Sequence, residues 1–149
     1  MAGPPKKLIT DFIHKHHIFT LATSVNNIPY TSTCFYVYID ELRMFVFTTD
    51  FETRHASEML AQPHVAGAVA LETSMIGKIQ GVQFTGLSVL LEGEMYERAN
   101  SAYLRKFPIA NFKKLVLWGI KPDFIKMTHN RLGFGKKLIW REENENEFL

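Results

Sequence analysis

The sequence predicts a mainly β fold with peripheral helices, in which six to eight short antiparallel strands close, fully or in part, into a barrel. Three observations carry this. Runs rich in Val, Ile, Thr, Tyr and Phe are separated by short turn-forming stretches. Helical periodicity is confined to a few short segments. The strands follow one another rather than alternating with long helices, which argues against a parallel α/β sheet.

Residues 6 to 16, KKLITDFIHKH, place Leu8, Ile9, Phe12 and Ile13 at helical spacing and predict a short amphipathic helix over one end of a core. IFTLATS (18 to 24), PYTSTCFYVYI (29 to 39) and LRMFVFTT (42 to 49) follow with short turns between them, the pattern of an antiparallel meander. In the second run Phe35, Val37 and Ile39 alternate with Cys34, Tyr36 and Tyr38, so both faces of that strand are put to use. Residues 53 to 62 set Ala56, Met59 and Leu60 on one helical face, with Thr53 as N-cap and Pro63 as terminator. HVAGAVAL (64 to 71) and GVQFTGLSVLLEG (81 to 93) read as strands, and Gly81, Gly86 and Gly93 predict bending or close backbone approach along the second. Tyr96, Ala99, Tyr103 and Phe107 form a helix stripe ended by Pro108, and KLVLWGI, DFIKMTHN and KKLIW supply three further strands.

With 149 residues the chain predicts one domain over residues 1 to 141, able to bury roughly 70% of its unfolded surface, followed by an acidic tail at 142 to 149 that frays. The single cysteine, Cys34, rules out an internal disulfide, and the absence of a secretory pattern points to a reducing cytoplasm. No apolar run approaches the roughly 20 residues of a membrane span. A net charge of +2, with the basic residues scattered among acidic ones, does not suit nucleic acid. The expected partners are a small molecule or a second copy of the chain.

The stretch FTTDFETRHASEML (47 to 60) concentrates hydrogen-bond donors where a strand passes into a helix: Thr48, Thr49, Thr53, Arg54 and His55. With Thr53 as N-cap, Arg54 and His55 fall in the first helical turn, where backbone N–H groups lack intrahelical partners and the dipole disfavours cations. An anionic group such as a phosphate makes the arrangement a site. Equally, Arg54 reaches solvent, or pairs with Glu52 or Glu58. The histidines of HKHH (14 to 17) lack a third or fourth ligand nearby, so no metal site is predicted. There is neither a G-x-S-x-G elbow nor a P-loop, although Lys136 and Lys137 after LGFG remain candidate anion contacts.

The succession FTLATSVNNIPYTSTCFYVY, MFVFTTDFETRHASEML, GVQFTGLSVLLEGE and AYLRKFP resembles the pyridoxamine 5'-phosphate oxidase-like FMN-binding split-barrel superfamily, from about Ile18 to Trp140. TRHA, GVQFTG, LEGE, KFPIA and LGFGKKLIW resemble most closely a short bacterial branch of uncharacterised function. The resemblance implies a split barrel, a homodimer and FMN held at the dimer interface. In the oxidases a Tyr-Thr pair ending a strand and a Ser-Arg-Lys triplet starting a helix hold the FMN phosphate and ribityl chain. The matching positions here are Thr48, Thr49, Thr53, Arg54 and His55, so histidine stands in place of lysine. The strand along the flavin ring matches Ser32 to Val37, with Ser32, Thr33 and Cys34 as contacts. A partner subunit is implied to contribute Gln80 or Gln83, Thr128, and Lys136 or Lys137.

Departures from the family pattern bear on activity. Val37 and Phe107 stand where the oxidases grip the substrate phosphate with lysine and arginine, and Gly133 replaces a histidine near the retained Arg131. Each lost charge-assisted contact removes about 1.5 to 3 kcal/mol, so pyridoxamine phosphate oxidation is not expected. The leading expectation is a dimeric FMN-dependent oxidoreductase, of flavin or quinone reductase type, acting on a flat uncharged molecule. The alternatives are a flavin-binding protein without catalysis, a user of the deazaflavin F420, or a haem-binding protein ligated through His14, His16, His17, His64 or His129. His55 titrating near its unperturbed value of about 6.5 predicts FMN binding that weakens from pH six to eight.

Overall fold

The computed structural model describes residues 3–142, so the predicted acidic tail beyond Glu142 lies outside the described residues. The elements are α1 (Lys7–Lys15), β1 (Ile18–Val25), β2 (Ile28–Ile39), β3 (Met44–Thr48), α2 (Arg54–Ala61), β4 (His64–Ala70), β5 (Gln80–Leu90), α3 (Gly93–Lys106), β6 (Leu117–His129) and β7 (Lys137–Arg141). Strands neighbour one another in the order β3-β2-β1-β4-β5-β6-β7, all antiparallel, and β3 also pairs with β6. That extra pairing closes a six-stranded ring with β7 attached outside it. The mainly β barrel with peripheral helices is therefore the fold observed. The β1–β2 turn is made by Asn26 and Asn27, both at positive φ, the backbone that two-residue hairpins need and asparagine tolerates.

One feature departs from the expectation. KLVLWGI and DFIKMTHN are not separate strands but parts of the single strand β6. Its first part, Leu117 to Ile120, pairs with β3, and its second, Phe124 to Thr128, pairs with β7. β5 runs alongside both, with a register shift between Thr85 and Gly86 as it passes Pro122. Proline has no N–H for a ladder, so the change of partner falls where the ladder is already broken. Gly86 is needed there: a Cβ on it would lie 2.3 Å from the Lys121 carbonyl oxygen.

Aromatic side chains fill the ring. Phe45 stacks on Phe84 with centroids 4.2 Å apart, and Phe19 contacts Tyr36, Phe45, Phe47 and Phe84. α1 contributes Ile9, Phe12 and Ile13 to this core and α2 contributes Ala56 and Met59. A second apolar cluster, including Met44, Val46, Leu117, Ala99 and Tyr103, lies beneath α3. Both faces of β2 are used as expected: Cys34, Tyr36 and Tyr38 face the main core, while Val37 and Ile39 pack on the second cluster. Leu60, expected inside, is 60% exposed, and Glu58 takes the buried position on α2. No helix among the described residues is long and apolar enough to cross a membrane.

Placing a methyl at Gly86 forces β5 away from β6. Gly86→Ala is expected to destabilise the protein by about 1 to 3 kcal/mol, read as a lower midpoint in urea unfolding.

Candidate functional site

β3 lies between β2 and β6, so the start of the crossing into α2 is held on both sides. Thr48 donates its hydroxyl to the Val116 carbonyl at 2.7 Å, and Trp118 donates its indole N–H to the Thr49 carbonyl at 3.2 Å. Thr53 is the N-cap, its hydroxyl accepting from the Ala56 N–H at 3.2 Å and lying 3.0 Å from the Asp50 carbonyl, to which it donates. Thr49 completes the chain by donating to Thr53 at 2.9 Å. The three threonine protons are thus committed to protein acceptors. The N–H groups of Arg54 and His55, in the first turn of α2, have no intrahelical acceptor and face the positive end of its dipole.

Of the two sequence readings of Arg54, pairing with Glu58 is observed: Nε lies 3.0 Å from Oε2. The guanidinium also lies over the Tyr30 ring, 4.1 Å from its centroid. This pairing engages one of five N–H donors and leaves the terminal nitrogens for another acceptor. Glu58 is 8% exposed and accepts from the Thr23 hydroxyl through its other oxygen at 2.7 Å. The Thr23 and Arg54 hydrogen bonds hold its carboxyl below the usual glutamate range. Thr23 and Tyr30 were missed in the sequence. Thr23 was detectable as the polar member of the alternation Phe19, Leu21, Thr23, otherwise apolar and buried.

His55 departs from its expected titration. Burial drives its pKa below the ordinary histidine value, with Glu58 pulling weakly the other way, and Nε2 is buried without a hydrogen-bond partner. It is therefore neutral at neutral pH, and the predicted titration between six and eight gives way to a lower one.

On β2, Ser32 and Cys34 share the inward face, and Thr33 is exposed on the other. The Cys34 thiol is pushed up to about 11 by burial, so it stays protonated. Phe35 is 56% exposed and meets Phe107 edge-on at 5.6 Å. Across the outer face, Thr33 pairs with Thr20, Thr20 with Ala68 and Ala68 with Gln83. Three strand spacings, about 14 Å, thus separate Gln83 from Thr33. Lys137 lies on β7, two strands beyond β5, and Lys136 is exposed beside it. One chain brings Thr49, Thr53, Arg54 and His55 together, and does not bring Gln83, Lys136 and Lys137 to them.

Among the histidines, His14 contacts Asp40 at 2.6 Å and His16 packs on the Phe12 ring at 4.2 Å. His17 and His64 are exposed, and His129 is buried with Nδ1 lacking a partner.

A closed antiparallel ring, a strand-to-helix crossing rich in donors and an outward strand beside it define a split barrel of the pyridoxamine 5'-phosphate oxidase type. The chain belongs to the pyridoxamine 5'-phosphate oxidase family, whose model matches residues 5–127. It is 37% identical to a UPF0306 protein of Photorhabdus laumondii, over 91% of this chain and 94% of that one. A haem-binding protein from Mycobacterium smegmatis superposes with a TM-score of 0.75 at 15% identity, over 94% of this chain and 60% of that one. An FAD-binding protein from Mesorhizobium loti gives a TM-score of 0.66 at 16% identity, over 80% and 89%. The fold is therefore one that accompanies different cofactors in other proteins.

Because burial lowers the His55 pKa, the unfolded chain takes up a proton at higher pH than the native one. The stability this secures is complete above about pH 6.5 and is lost as pH falls toward the depressed folded-state value. The wild-type melting temperature should drop more steeply between pH 7 and 5 than that of His55→Asn, measured by circular dichroism.

Proposed function

We propose that the protein binds FMN as a homodimer, with the flavin's terminal phosphate at the N-terminus of α2, and serves as a flavin-dependent oxidoreductase for a flat uncharged small molecule. The observation that carries this is the Arg54 guanidinium, hydrogen-bonded through Nε and lying over Tyr30, with its terminal nitrogens unengaged beside free first-turn N–H groups. That donor set fits a phosphate monoester, which Arg grips through two parallel hydrogen bonds. Thr49 and Thr53 would join by turning their hydroxyls. Thr48 is held to Val116 and would shape the site rather than grip it.

FMN, when bound, supplies hydride and electron chemistry, while the chain's residues orient it and shape what approaches. The outer face of β2 offers Thr33 and the backbone beside it for the ring. Ser32 and Cys34 would act through the strand they help to pack, because their side chains face inward. Gln83, Lys136 and Lys137 would meet a flavin held by the partner subunit, since a two-fold assembly joins what 14 Å, by about three strand spacings, keeps apart. Phe35 and Phe107 form an apolar wall next to this strand, suited to an aromatic ring rather than a phosphorylated substrate.

The test is the visible spectrum of the purified protein before and after FMN is added, with mass spectrometry of whatever is released on denaturation. A colourless protein that acquires no flavin band would end the proposal. A second reading, haem binding, is favoured by the structural likeness to a haem-binding protein. It requires a Soret band on haem addition that disappears when one of His14, His16, His17, His64 or His129 is replaced.

If Arg54 holds the phosphate, Arg54→Ala should weaken FMN about tenfold or more while leaving riboflavin nearly unchanged, measured by fluorescence titration. With His55 already neutral, FMN affinity should stay within about twofold from pH 7 to pH 8.

A further inference from the structure

We infer that Glu58 is a positioning residue for the phosphate subsite: a buried carboxylate that fixes the Arg54 guanidinium so that its terminal edge faces the ligand. The inference rests on the flavin-phosphate reading above and adds to it a second residue and a selectivity, for phosphorylated over unphosphorylated flavin.

Helix stability does not account for the pair. An Arg followed by Glu four residues later is the weaker order for a helical ion pair, because each charge sits at the wrong end of the dipole. Burying Glu58 to 8% exposure also strips water from a carboxylate, which the fold offsets with the Thr23 hydroxyl on Oε1 and Arg54 Nε on Oε2. These contacts hold the carboxylate in one orientation, and Tyr30 supports the guanidinium through its face at 4.1 Å. An arginine side chain otherwise samples many rotamers. Here its Nε and its planar face are both constrained, while the two terminal nitrogens are unengaged. One edge of the guanidinium is spent on the protein and the other is kept for a bidentate acceptor. Thr23, Tyr30, Arg54 and Glu58 come from β1, β2 and α2, so this support is built by the tertiary fold.

The experiment titrates FMN and riboflavin, by flavin fluorescence, into the full-length wild-type protein, Glu58→Gln, Arg54→Ala and the double variant. Glutamine keeps the shape and an acceptor for Thr23 and loses the charge that orients Arg54. The expected result is a loss of about fivefold in FMN affinity for Glu58→Gln, with riboflavin unchanged within about twofold. The double variant should bind FMN no more weakly than Arg54→Ala, because Glu58 acts through Arg54. Equal losses for both flavins would mean a structural role only, and unchanged or tighter FMN binding would mean that Glu58 does not position the arginine; either overturns the inference while the phosphate reading stands. If Arg54→Ala itself leaves FMN affinity unchanged, or the wild type binds no flavin, the phosphate reading falls and takes this inference with it. Thr23→Val provides a second variant should Glu58→Gln fail to fold. It frees one carboxylate oxygen and should reduce FMN affinity about twofold to threefold without affecting riboflavin, and no selective loss there counts against the inference.

Discussion

Pro122 has no amide hydrogen to give to a neighbouring strand, and the barrel is arranged around that gap. Before it, β6 closes the ring against β3; after it, β6 pairs with β7 instead. β5 stays with β6 throughout because Gly86, with no side chain, lets the two backbones pass at the shift in register. The closed half of β6 also fixes the crossing into α2. Val116 receives the Thr48 hydroxyl and Trp118 donates to the Thr49 carbonyl, so the site's first residues are hydrogen-bonded to the strand that closes the barrel. Closure and site are one construction: loosening β6 from β3 would release the threonines that lead into the helix.

From that anchored crossing the N-terminus of α2 inherits a defined position. Thr53 spends its acceptor capacity on Ala56 and its proton on Asp50, which settles the first turn without external help. The groups left without a protein acceptor here are donors: two backbone N–H groups and the outer edge of Arg54. Hydroxyl protons spent within the chain, beside N–H donors turned outward, are the distribution that the proposed phosphate site requires.

Much of this was legible in the sequence, and the exceptions share a cause. Thr53 as cap, the extent of α2 and the two-faced β2 all depend on neighbours a few residues apart or on one strand's alternation. The union of two predicted strands into β6 depends on which partners lie on either side of Pro122, a non-local fact. Leu60 and Glu58 exchanged their expected places for a similar reason. Helical periodicity assigns the apolar residue inward, and the arrival of Thr23 from β1, together with Arg54, makes a buried glutamate tolerable. The His55 titration is not legible in the sequence, because it depends on burial, which no spacing encodes. The residues of β5 and β7 that the family resemblance joins to the site lie strands away in this chain, so their part in it rests on the homodimer proposed above.

A buried carboxylate close to the proposed anion site looks self-defeating, and the surroundings decide whether it is. A carboxylate on the Nε side of a guanidinium and a phosphate on its terminal edge repel each other, and the local dielectric sets how strongly. The Arg54 side chain is 52% exposed, so the local value lies well toward the watery limit, and ionic screening reduces it further. Against this stands the rotamer freedom of an unrestrained arginine, about 2 kcal/mol, which a ligand must otherwise overcome when it captures the side chain. Glu58 removes much of that freedom before any ligand arrives. Exposure would therefore tip the balance: in a fully buried site the same carboxylate would repel a phosphate more than it helped, whereas at this half-open helix end its repulsion would be weak and its positioning retained.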